Sequence, residues 1–164
     1  MRGARDAVAE FTTPDTAARD YRELGLLPFG QTGAGDVHCF LHRSPLEIEG
    51  DDMPVVLAPH DAPEVEVLAK NFQDFVFSHL LEGVSEFDDD SLIAAVDLRE
   101  TLANTLRSHH SLLSDRQFSV LEDVYGREPN TAEDVWSLIS LSETNEVLER
   151  EIGFPKWNHV FDVG

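Results

Sequence analysis

Two stretches of the chain carry apolar and β-branched residues without helical spacing, Asp36 to Arg43 (DVHCFLHR) and Pro54 to His60 (PVVLAPH), each bounded by Gly or Pro. Such runs predict strands, and the long loop between them fits an antiparallel pair. After Pro63 the pattern turns helical. Asn71 can cap with Asp74 three residues on, and Phe72, Phe75, Val76, His79 and Leu80 follow at the three-to-four spacing of a buried helix face. Gly83 is the expected stop. Ser85–Asp90 reads as a connection, with Asp90 or Ser91 capping a helix whose stripe includes Leu92, Ile93, Val96, Ala103 and Leu106. Ser114 with Gln117 opens another helix that stops at Gly126, Thr131 with Asp134 suggests a third, and Ser142 begins a fourth ending at Gly153. The last segment, with Phe154, Trp157, Val160 and Phe161, is expected to fold back as an apolar tail. These elements define an α+β class: a small antiparallel sheet packed by helices, with a helical C-terminal extension. The expected division is a core over 1–84 and the extension over 85–164.

Composition sharpens this picture. The 164 residues are 41% hydrophobic and include ten Phe, enough for a core, while 32 acids against 12 bases give a net charge of −20. A surface of that sign repels phosphate backbones, so nucleic acid is not an expected partner and basic protein surfaces are. The charge is uneven: residues 41–90 hold thirteen acids and two bases. Most of these acids lie in two loop-like runs, Glu47-Ile-Glu49-Gly-Asp51-Asp52 and Glu86-Phe-Asp88-Asp89-Asp90. The lone Cys39 forms no internal disulfide, which suits a reducing compartment. The N-terminal stretch lacks the apolar run of a secretory signal, and nothing approaches the ~20 apolar residues of a membrane span. The expected location is cytoplasmic, with no membrane partner.

The segment Phe29-Gly30-Gln31-Thr32-Gly33-Ala34-Gly35-Asp36 places three glycines in six residues ahead of a strand. It is not a phosphate cradle. A P-loop requires Lys and a hydroxyl residue after its last glycine, whereas Asp36 and Val37 stand here. A dinucleotide loop fails too, because His38 occupies the third-glycine position. Gly30, Gly33, Gly35 and Asp36 are therefore read as a structural turn, with positive φ at Gly33 or Gly35 and Asp36 bonding nearby amides.

Phe29-Gly30, Gly35-Asp36, Pro54-Val55-Val56, His60-Asp61, and Phe72 with Phe75 occur in that order over roughly residues 24–83. In this arrangement the chain resembles the SUKH superfamily, which includes fungal cell-wall-assembly and killer-toxin-resistance regulators and many bacterial immunity proteins. Members usually carry an N-terminal helix and strand before the Phe-Gly segment. Only some two dozen residues precede it here, so that part is expected to be shortened or displaced; Val120–Pro129 faintly resembles it. The resemblance implies a non-enzymatic binding module that occludes a cognate polymorphic toxin, often a nuclease. The charge balance points the same way, since an acidic surface can imitate a nucleic-acid backbone.

Other chemistry finds little support. On a strand, His38 and His42 share a face but stand about 13 Å apart, and Cys39 points away, so one ion cannot bind all three. The acids at 88–90 lack the spaced ligands and glycine of a calcium loop. There is no GxSxG and no HExxH. No metal, cofactor or catalytic residue is assigned. The expected partner is a basic toxin domain, contacted through Glu47, Glu49, Asp51 and Asp52 and through Asp88, Asp89 and Asp90. The alternatives are an intracellular scaffold holding a peptide by strand addition at a sheet edge, and a small hydrolase using Cys39 or carboxylates.

Overall fold

A computed structural model describes residues 21, 23–42, 52–62, 64–85, 87–88, 95–132, 135–153 and 160–162. The fold is α+β, and the chain divides into two compact units, Met1–Phe72 with Pro155–Gly164, and Gln73–Phe154.

The first unit is built on a five-stranded sheet of β1 (Leu26–Gln31), β2 (Val37–Leu41), β3 (Val55–Ala58), β4 (Glu64–Ala69) and β8 (Val160–Asp162) in that spatial order, every neighbour antiparallel. The expected pairing of the two strands around the long loop is present, with Cys39 opposite Val56 and His38 opposite Leu57. Because side chains alternate along a strand, this register sorts the sheet into two faces. One holds Val37, Cys39, Val56, Ala58, Val65 and Val67, all at most 2% exposed. The other holds His38, Phe40, Leu57 and Glu66, each half-buried, with Val55, opposite Phe40, fully buried.

The sheet corrects one expectation. Residues 64–69 form a strand, where the pattern after Pro63 predicts a helix. The sequence Glu64-Val65-Glu66-Val67 has a period of two, and a helix would turn Val65 and Val67 about 200° apart, leaving one in water. As a strand, both valines reach zero exposure while the glutamates face the other way. The tail also joins the sheet, where Val65 pairs with Phe161.

The second unit contains α1 (Phe72–Glu82) apart from its first residue, Phe72, which belongs to the first unit, then β5 (Phe87–Asp88), α2 (Ala95–His109) followed by a 3₁₀ turn (His110–Leu112), α3 (Asp115–Tyr125), β6 (Asn130–Ala132), β7 (Val135–Ser137) and α4 (Leu141–Ile152). Its core joins Phe77 and Leu81 of α1, Leu102 and Leu106 of α2, Leu121 and Val124 of α3, and Val147 and Leu148 of α4. Ser114 and Gln117 form the expected capping box at the start of α3. The Gln117 side chain does more: its Oε1 also accepts from Gln73 Nε2 at 3.0 Å, and its Nε2 donates to Asp74 Oδ1 at 2.8 Å. That amide therefore ties the first turn of α1 to the first turn of α3.

Two further expectations are corrected in this unit. Thr131 does not open a helix; it lies in β6 opposite Trp136 of the antiparallel β7, and β5 pairs on the other side of β7, while Asp134 lies outside the described residues. Thr131, Val135 and Trp136 are strand-favouring types. The fourth helix starts from Ser140, not Ser142: Ser140 has extended backbone and its Oγ accepts from Glu143 N at 3.2 Å. Its Gly153 stop is present, in the left-handed conformation with φ 58°. The candidate caps Asp90 and Ser91, with Leu92 and Ile93, lie outside the described residues. Among the described residues no helix is long and apolar enough to cross a membrane.

Candidate functional site

The glycine-rich turn closes the β1–β2 hairpin. Thr32 N donates to Asp36 O at 2.8 Å, Gly35 N to Thr32 O at 3.1 Å, and Asp36 N to Thr32 Oγ1 at 3.1 Å. Gly35 has φ 101°, a conformation that a Cβ makes costly, so of the two glycines considered Gly35 carries the positive φ. Gly33 faces open space and Gly30 sits opposite His38, where an added Cβ would make ordinary contact.

Asp36 does more than close its turn. Its Oδ1 accepts from His60 N at 3.2 Å and lies 2.8 Å from His60 Nδ1, twenty-four residues away. The Gly-Asp and His-acid pairs of the sequence are thus halves of one fastener between the β1–β2 turn and the segment after β3. The hydrogen bond from the His60 side chain lowers the Asp36 pKa, and the same bond raises that of His60. Thr32 Oγ1 accepts from the Asp36 amide, and Cys39 is fully buried with its thiol pushed up to about 12 by desolvation, so it holds no thiolate near neutrality. Among the described residues no group of three His, Cys, Asp or Glu could hold a metal ion.

The half-buried face of the sheet lies beside this fastener. Phe29, at the irregularity between Pro28 and Gly30, stacks on His38 with ring centroids 6.0 Å apart and tilts on Phe40 at 4.5 Å. Phe72 meets Phe29 edge-on and Phe40 obliquely, both at 5.6 Å. Leu27, opposite Phe40, is 38% exposed. Across the sheet the row His38–Leu57–Glu66 carries this apolar surface to an acidic border, with Glu64 two residues from Glu66 on the same face.

Of the acids proposed for partner contact, Glu47, Glu49, Asp51, Asp89 and Asp90 lie outside the described residues. Asp52 is exposed ahead of β3, and the backbone of Asp88 pairs with Val135 in β5. Glu64 and Glu66 escaped the sequence reading, although alternation with Val65 and Val67 was the available signal.

The model of the SMI1 / KNR4 family (SUKH-1) matches residues 4–78, a span that contains β1 to β4, the Asp36–His60 fastener and the aromatic cluster. Over this span the chain is similar to that family. No curated protein and no solved structure matches the chain.

Proposed function

We propose that the chain is a SUKH-superfamily member acting as a non-enzymatic, acidic protein-binding module, an immunity protein that neutralises a cognate toxin domain with a basic surface in the cytoplasm. The observation that carries this reading is the family match over residues 4–78. The net charge of −20 supports it, because an enzyme that grips phosphate displays Lys and Arg that an acidic surface can cover. Glu47, Glu49, Asp51 and Asp52, with Asp88, Asp89 and Asp90, are the proposed charged contacts. Strand addition at β1, the scaffold alternative, is opposed by Pro28, which offers no N–H, and by the register shift beside it.

The test is capture of host proteins on the immobilised chain at low salt, elution at high salt, and expression of the eluted partner with and without the chain. One basic partner whose toxicity the chain suppresses is the expected result. Retention of no basic protein, or undiminished toxicity of the retained one, overturns the reading. Reversal of Glu47, Glu49, Asp51 and Asp52 to Lys should then weaken that complex; unchanged affinity removes those residues from the contact.

A further inference from the structure

We infer that the half-buried face of the first unit's sheet is the docking surface, and that its occupant is a partner segment in which basic residues alternate with apolar anchors. This rests on the binding-module reading and specifies where and how the partner sits.

Three observations meet on this face. First, the two sheet faces differ in exposure. One is sealed to at most 2% exposure, whereas on the other Leu27, Phe40 and Leu57 keep contact with solvent around a fully buried Val55 opposite Phe40. An apolar, aromatic surface left accessible in this way is suited to anchoring side chains of a partner. Second, its border is anionic. Glu64 and Glu66 form no ion pair among the described residues, and Lys70 is the sole Lys or Arg among the described residues of this unit. Third, apolar and acidic positions lie in adjoining rows of one rigid register, Leu27–Phe40 beside His38–Leu57–Glu66. Neighbouring strands are about 4.8 Å apart, so an anchor over Leu57 places a Lys or Arg a residue or two away within reach of Glu66. The apolar part supplies desolvation and the glutamates supply orientation and steering.

The experiment maps amide shifts of the full chain on addition of a synthetic peptide of about twelve residues alternating Lys with Leu or Trp, a length that spans the sheet. A peptide with Ser in place of the apolar residues controls for attraction to the net charge. The expected result is that the first peptide shifts Leu27, Phe40, Leu57 and Glu66, and that the Ser peptide binds about tenfold more weakly or less. The double variant Glu64→Lys/Glu66→Lys should likewise lose about tenfold, and Leu27→Ser should weaken binding with unaltered thermal unfolding. Equal binding of both peptides, or shifts confined to the helical unit, overturns the inference. The two proposals fail separately. A toxin complex insensitive to Glu64→Lys/Glu66→Lys removes this surface and leaves the immunity reading. Peptide docking here in a chain that protects against no toxin does the reverse.

Discussion

Replacing Gln117 by Met tests whether a single buried amide holds the two helix starts of the second unit together. Gln117 is 5% exposed, and Met fills nearly the same volume, so the packing term changes little. Three hydrogen bonds are lost: from Ser114 N at 3.0 Å, from Gln73 Nε2 at 3.0 Å, and to Asp74 Oδ1 at 2.8 Å. The bond to a charged carboxylate is worth about 1.5–3 kcal/mol. Loss of the reciprocal half of the capping box adds about 0.5–1 kcal/mol. Gln73 is exposed and recovers its bond from water. Apolar burial of the Met side chain returns about 1 kcal/mol, leaving a net loss of about 2 kcal/mol. Urea unfolding followed by circular dichroism reads this as a lower midpoint with the slope retained. A companion variant, Gln117→Glu, keeps the acceptor for Ser114 but sets a second carboxylate against Asp74. The shared site raises a carboxyl pKa in the folded state, so its deficit should be large at neutral pH and shrink as acid protonates the pair. A Gln117→Met protein within about 0.5 kcal/mol of the parent, or a Gln117→Glu deficit independent of pH, refutes the tether.

Gly35→Val, at φ 101°, should cost about 1–3 kcal/mol in urea unfolding, whereas Gly33→Ala, facing open space, should be neutral; equal effects would place the strained position wrongly. The fastener gives a pH signature. His60, raised from 6.5, contributes fully below that value and loses its contribution as pH climbs through the raised one, while Asp36, lowered from 3.8, contributes fully above 3.8 and loses it as pH falls. Thermal unfolding across pH should therefore show a maximum between these ranges that flattens in Asp36→Asn; an unflattened profile excludes the pair as its source. Glu151 is held at about 2, chiefly by its hydrogen bond from Arg116, so it should contribute fully above 4.5 and lose that contribution between 4.5 and about 2. NMR titration of its carboxyl should show this value rising in Arg116→Met. Cys39 should resist a thiol reagent at neutral pH until urea unfolds the chain; rapid labelling of the folded protein would contradict its burial.

The parts legible in the sequence are those specified locally. Ser114 announces Gln117 three residues on, Gly153 follows its helix directly, and Val37, Cys39 and Leu41 alternate with His38 and Phe40; each signal sits within the element it defines. Misreadings arose where one local signal imitated another. Thr131 and Asp134 carry a cap spacing, yet Thr131, Val135 and Trp136 are strand-favouring types, and Thr131 pairs with Trp136. The valines of β4 stood against an expected helix from Pro63 onward, which hid the period of two.

The binding face could not be read in the same way, because its members are neighbours only through register. Phe29, Phe40 and Phe72 are separated by eleven and thirty-two residues, and their rings meet at 4.5–5.6 Å because β1 pairs with β2 and the chain returns after β4. Leu57 meets Glu66 only if β3 and β4 pair in this register, and a slip of one residue would exchange the glutamates with the buried valines. That exchange would bury two carboxylates, a cost the sequence avoids by spacing Glu64 and Glu66 two apart. The same spacing that protects the core therefore fixes which charges border the aromatic surface. Packing and recognition here follow from one alternation.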